Sequence, residues 1–195
     1  MIGGEGLDKI RMDPKRYIAF LRAVNVGGRV VKMDALRRNF EALGFSNVET
    51  FIASGNVIFE AAERDAPALE ARIAKELKGE LGYEVAVFLR TDAELAVLVK
   101  YQPFDKLAVE RAAAFNVAFL AVPPGDAAKK RLTALKTEID DFRVHACEVY
   151  WLCRKKQSES TFSNAALENA VGMKSTLRGM NTVRKLAEKY PPKEA

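Results

Sequence analysis

Residues 17–26 form a run in which both alternating sets of positions are apolar. Tyr17, Ala19, Leu21 and Ala23 make one set, and Ile18, Phe20 and Val24 the other, with Arg22 interrupting the second. A strand that is apolar on both faces belongs in the middle of a sheet covered on both sides. Asn25-Val-Gly-Gly28 then breaks the run. Met33, Leu36, Phe40 and Leu43 recur at helical spacing, and Gly44 follows as a stop. Two short β patterns, residues 48–53 and 57–60, flank Ser54-Gly55-Asn56 and read as a hairpin. Pro67 opens a helix with Leu69, Ile73, Leu77 and Leu81 on one stripe, closed by Gly82. Residues 84–90 are the fourth strand. The order over residues 17–90 is βαββαβ, that of a ferredoxin-like split βαβ unit with an antiparallel sheet.

The second half repeats the theme loosely. Thr91-Asp-Ala-Glu94 is a capping box that starts a short helix. A strand at 113–122 leads through Pro123-Pro-Gly-Asp126 into a helix carrying Leu132, Leu135 and Ile139. Residues 142–146 and 148–153 read as a hairpin turning near His145-Ala-Cys147. Two helices are expected near 161–171 and 181–190, the second capped by Asn181. The expected architecture is α+β, with two packed α+β subdomains. Residues 16–91 make the ferredoxin-like one and 92–195 a related unit with a basic helical C-terminus, behind a disordered leader at 1–15.

Composition narrows the function classes. Two cysteines, Cys147 and Cys153, and one histidine, His145, leave no disulfide framework, four-thiolate zinc site or His-rich metal site. No apolar run reaches the ~20 residues of a membrane span. The first residues lack the apolar core of a signal peptide, which points to the cytoplasm. The net charge of +5 is uneven: residues 1–150 carry 22 basic and 22 acidic residues, and 151–195 carry 9 and 4. An anionic partner is therefore expected at the C-terminal quarter.

Three segments could carry chemistry. Arg22-Ala-Val-Asn25-Val-Gly27-Gly28 brings glycines and cations to the turn after the first strand, where backbone N–H groups can approach an anion. It has neither Walker nor dinucleotide-binding spacing. In a split βαβ unit the first and second strands are parallel, so this turn and Ser54-Gly55-Asn56 emerge at one sheet edge. The third segment, 173–185, sets Arg178, Asn181 and Thr182 among other cations and hydroxyls ahead of a helix. Each also has a purely structural account: glycines that serve a turn, and an Arg22 ion pair that bridges the two halves. No catalytic constellation, metal site or cofactor motif stands out.

Tyr17-Ile-Ala-Phe-Leu-Arg-Ala-Val-Asn-Val-Gly-Gly28, Ile52-Ala-Ser-Gly-Asn-Val57 and Ser175-Thr-Leu-Arg-Gly-Met-Asn-Thr-Val183 resemble the signature blocks of a bacterial family, domain of unknown function 1697 (DUF1697). The resemblance spans roughly residues 16–190. It implies two α+β subdomains and carries no activity, cofactor or catalytic residue. Ala23 departs from that pattern, which has Gly there, and Gly179-Met180 stand where it has Asn-Trp. The leading expectation is non-enzymatic binding of a phosphate-bearing ligand, nucleic acid or nucleotide. Its residues are Arg22, Asn25, Gly27, Gly28, Ser54, Gly55, Asn56, Arg178, Asn181 and Thr182. The alternatives are an enzyme that clamps a small anionic substrate with arginines, and a structural or interaction module.

Overall fold

The two apolar faces of the first strand each find a separate core. A computed structural model of the chain describes residues 13–22, 24 and 30–193. Asn25, Gly27, Gly28 and nearly all of the expected leader lie outside the described residues. Strand β1 (Lys15–Leu21) is central in a four-stranded sheet with β2 (Ser46–Phe51), β3 (Asn56–Ala61) and β4 (Val87–Thr91), in the order β2-β3-β1-β4. All its pairings are antiparallel. Helices α1 (Met33–Ala42) and α2 (Ala66–Leu81) cover one face. There Tyr17, Ala19 and Leu21 pack with Leu36, Phe40, Leu69, Ile73 and Leu77. Asp65 caps α2 by accepting the Ala68 N–H, Pro67 sits in its first turn, and Gly82 (φ 74°) ends it.

The chain then makes the same fold again. Helices α3 (Asp92–Lys100) and α4 (Lys106–Arg111) lead to β5 (Ala114–Leu120), α5 (Asp126–Ala134), β6 (Asp140–His145), β7 (Glu148–Cys153), α6 (Asn164–Val171), β8 (Ser175–Gly179) and α7 (Met180–Lys189). The second sheet has the order β6-β7-β5-β8, so β5 to β8 repeat the topology of β1 to β4. Strand β8 falls where a polar lead-in to a helix was expected. It is an edge strand that pairs only with β5, and its Ser, Thr and Arg give no β pattern. It pushes the last helix back to Met180, with Gly179 rather than Asn181 at the cap and no side-chain cap bond.

The second face of each sheet meets the other sheet. Ile18, Phe20, Ile58 and Phe88 pack on Val117, Phe119 and Tyr150, with Leu95 and Leu98 of α3 and Met180, Val183 and Leu186 of α7 closing the sides. Phe20 and Phe119 stack with centroids 3.9 Å apart and planes 10° from parallel. Each buried ring contributes about 1.5–3 kcal/mol by leaving water, and the stack about 0.5–1.5 kcal/mol more. An approximate two-fold axis passes near this stack. Phe20 pairs with Asn56 as Phe119 pairs with Glu148, and Ile18 pairs with Arg90 as Val117 pairs with Arg178.

Candidate ligand cleft

Arg90 and Arg178 are related by this approximate symmetry, and each reaches across into the other half. Arg178 Nε donates to Asn56 Oδ1 (2.7 Å) and Nη1 to Thr176 Oγ1 and Leu177 O (both 2.8 Å). Its Nη2 donates to the carbonyls of Leu21 (2.9 Å), Ser54 (2.8 Å) and Gly55 (3.3 Å). Arg90 makes the corresponding set: Nε to Glu148 Oε1 (2.7 Å), Nη1 to Leu89 O (2.6 Å), and Nη2 to Leu120 O (3.0 Å) and Cys147 O (3.4 Å). The Leu21 and Leu120 carbonyls lie at the ends of β1 and β5, where the ladder stops and supplies no further donor.

Three substitutions break the symmetry. Glu148 gives Arg90 a counter-ion, whereas Asn56 gives Arg178 a neutral acceptor. Burial without a counter-ion lowers the Arg178 pKa to about 10. Thr176 accepts from Arg178 Nη1, but Phe88 stands at the related position, so one Nη1 N–H of Arg90 has no acceptor among the described residues. The third concerns the residue after the first strand of each half. Arg22 forms a bidentate ion pair with Glu168 of α6 (Nε–Oε1 2.7 Å, Nη2–Oε2 2.8 Å). Glu168 Oε1 also accepts the Ser175 N–H (2.8 Å), covering the open edge of β8. The residue related to Arg22 is Ala121. The residue related to Glu168 is Glu70 of α2, whose Oε1 accepts the Leu89 N–H (2.8 Å) at the open edge of β4. No cation among the described residues lies within ion-pair distance of Glu70.

Where Arg22 fills one end of the interface, Ala121 leaves a cleft of about 550 Å³ at the other. Its walls include Glu70, Leu89, Arg90, Ala121, Cys147 and Tyr150, with Lys15 and Arg64 near its edge. Burial holds the Glu70 carboxyl above the usual carboxylate range, against the pull of the Leu89 N–H and the Arg90 charge. Burial also raises the Cys147 thiol. Tyr150 is 0% exposed, and its hydroxyl has no hydrogen-bond partner among the described residues. His145 stacks on Tyr101 beside Tyr150, with centroids 4.1 Å apart.

The residues expected to form a site fall mostly at the closed end. The parallel course of the first two strands brings Gly55 against Leu21 and Val24, and Ser54, Gly55 and Asn56 also meet Arg178 directly. Arg22 is taken by Glu168, and every N–H of Arg178 has an acceptor. Asn56 also donates to Ser54 Oγ (2.7 Å) and Phe51 O (3.1 Å). Gly55 holds φ at 71°, and a Cβ there would lie 3.3 Å from that of Leu21. Asn181 is exposed and Thr182 half-buried in the first turn of α7. Sequence reasoning missed Glu70, Ala121 and Tyr150. The available signal was the repeat of Ile18-Ala-Phe-Leu21 as Val117-Ala-Phe-Leu120, and of Leu89-Arg90 as Leu177-Arg178.

Four C-terminal cations also face carboxylates. Lys174 faces Glu84 (3.6 Å), Lys189 faces Glu49 (3.1 Å), Lys193 faces Glu60 (2.8 Å) and Arg154 faces Asp141 (3.6 Å). Among the described residues no group of His, Cys, Asp and Glu could hold a metal ion, and no helix is long and apolar enough to cross a membrane.

Two ferredoxin-like units joined face to face, latched by reciprocal arginines and open at one end, define a duplicated α+β protein. The chain belongs to the DUF1697 family of proteins of unknown function, whose model matches residues 15–150. Every residue lining the cleft falls within that span. No curated protein matches the chain. Among solved structures it is similar to the conserved bacterial protein SP0830 from Streptococcus pneumoniae, with a TM-score of 0.71 at 18% identity. The match covers 91% of this chain and 98% of that one, and speaks for the fold.

Proposed function

We propose that this protein binds a small organic molecule in the cleft between its two halves. The observation that carries this reading is the cleft itself, lined by the Glu70 carboxylate with no cation among the described residues within ion-pair distance; Tyr150, whose buried hydroxyl has no partner among the described residues, also lines it. Buried hydroxyls are nearly always hydrogen-bonded, and leaving one bare costs about 1–3 kcal/mol. A phosphate clamp on Arg22 and Arg178 has less support, because Glu168 and six protein acceptors already hold those guanidiniums. A phosphate-bearing ligand would instead meet Lys15 and Arg64 near the cleft edge, so nucleotides belong in the test. Cys147 and Cys153 are both free thiols, which suits a reducing compartment such as the cytoplasm.

The test is an amide NMR titration of the intact protein with free amino acids, amines, nucleosides, mononucleotides and sugars. Saturable shifts at the Leu89, Thr91, Cys147 and Tyr150 amides, lost in Ala121→Arg, support the reading. A panel that moves only amides near residues 54–56 and 178–182, or none at all, overturns it.

A further inference from the structure

The closed end of the molecule shows what the open end lacks. Glu168 and Glu70 hold related helix positions, each five residues beyond its helix cap, Ser163 and Asp65, although Glu70 reaches an N–H two residues further along its edge strand than Glu168 does. Each carboxylate covers an outward N–H of an edge strand, at Ser175 and at Leu89. The Glu168 carboxylate is completed by a planar guanidinium, which donates two parallel N–H groups at 2.7 and 2.8 Å. That geometry suits a carboxylate better than any other cation does. At Glu70 the guanidinium is missing because Ala121 replaces Arg22, and the vacated volume is the cleft. Tyr150, whose buried hydroxyl has no partner among the described residues, lines the same cleft.

Resting on the reading of the cleft as a ligand site, we propose that its ligand carries a guanidinium or amidinium group, bound bidentately by Glu70 in the place that Arg22 takes opposite Glu168. The walls fit such a group, since the neighbouring guanidinium of Arg90 is neutralised by Glu148 at 2.7 Å. Leu89 and Ala121 offer apolar surface to the ligand's remainder.

The experiment titrates the intact protein with agmatine and with arginine, and in parallel with citrulline, whose urea group has the guanidinium's shape without its charge. Amide shifts at Leu89, Thr91 and Cys147 report the cleft. A guanidinium probe should bind saturably, and citrulline at least ~10-fold more weakly, the ratio expected for a charged hydrogen-bonded pair. Glu70→Gln should weaken the guanidinium probe by a similar factor while keeping the remaining spectrum. Ala121→Arg, which supplies the guanidinium from the chain, should abolish binding. Equal affinity for arginine and citrulline, or unchanged affinity in Glu70→Gln, overturns the proposal. If another compound class shifts these amides and both guanidinium probes do not, the ligand class is wrong and the cleft reading stands. If no probe shifts them, both fail.

Discussion

At the scale of single residues, Tyr150 and Ile52 hold unfavourable arrangements that a simple fold would avoid. Tyr150 buries a hydroxyl without a partner. Tyr150→Phe should therefore leave stability unchanged or raise it by about 0.5–1 kcal/mol, since no bond is lost and a desolvated group is removed. A thermal melt checks this, and a loss above about 1 kcal/mol would reveal a hidden partner. Ile52 is the second. It is β-branched and exposed, yet holds φ at 51°, a region that such side chains rarely enter. Ala146, the first residue after β6, also has φ 49°. Ile52→Asn should stabilise by about 0.5–1 kcal/mol, because Asn tolerates left-handed backbone and little apolar burial is given up. The denaturant midpoint should rise at constant slope.

At the scale of elements, legibility in the sequence followed burial. The doubly apolar β1 announced a covered central strand, and the stripe on α2 announced its buried face. Strand β8 was illegible because an edge strand of Ser, Thr and Arg needs no alternation to pair on one side only. The meeting of Ser54, Gly55 and Asn56 with Arg178 needed strand topology together with a basic segment 120 residues away, and the first of these was readable. The cleft was not, because it arises from a difference between halves, Arg22 against Ala121, that has no motif. That difference makes the closed end a test piece. Arg22→Ala should expose Glu168 as Glu70 is exposed and cost about 1–2 kcal/mol, discounted for the partial exposure of the pair. In Arg22→Ala, adding Glu168→Gln should recover part of that loss. If the double variant is no better than the single one, the loss comes from packing of the Arg22 stem, not from an unpaired carboxylate.

At the scale of the whole molecule, part of the basic excess of the last quarter is paired with carboxylates. The basic last quarter lies against carboxylates of the first three: Glu49 takes Lys189 and the Tyr190 hydroxyl (2.7 Å), and Glu60 takes Lys193. Asp141 in the second half takes Lys136, Arg143 and Arg154. The Tyr190 hydroxyl and Lys189 hold Glu49 below its ordinary pKa. Burial works to raise Glu60 and Asp141, but Lys193 with Asn47, and Lys136 with Arg143, outweigh it and leave both lowered. A carboxylate with a lowered folded pKa stabilises the native state above its unfolded value, and this contribution disappears as pH falls through the folded one. Urea unfolding should thus be nearly constant from neutrality to about pH 5 and weaken steeply between about pH 5 and 3. Glu70 has the opposite sign: its raised pKa favours the folded state when protonated, so its contribution declines as pH rises through that value. Glu70→Gln should remove that shallow decline above about pH 5 and leave the acid limb in place. Because Glu49 and Glu60 tie down the end of α7 and the residues after it, hydrogen exchange on the acid limb should quicken first at residues 186–193. Exchange that quickens uniformly along the chain would show that the acid transition is global and not led by the C-terminal tether.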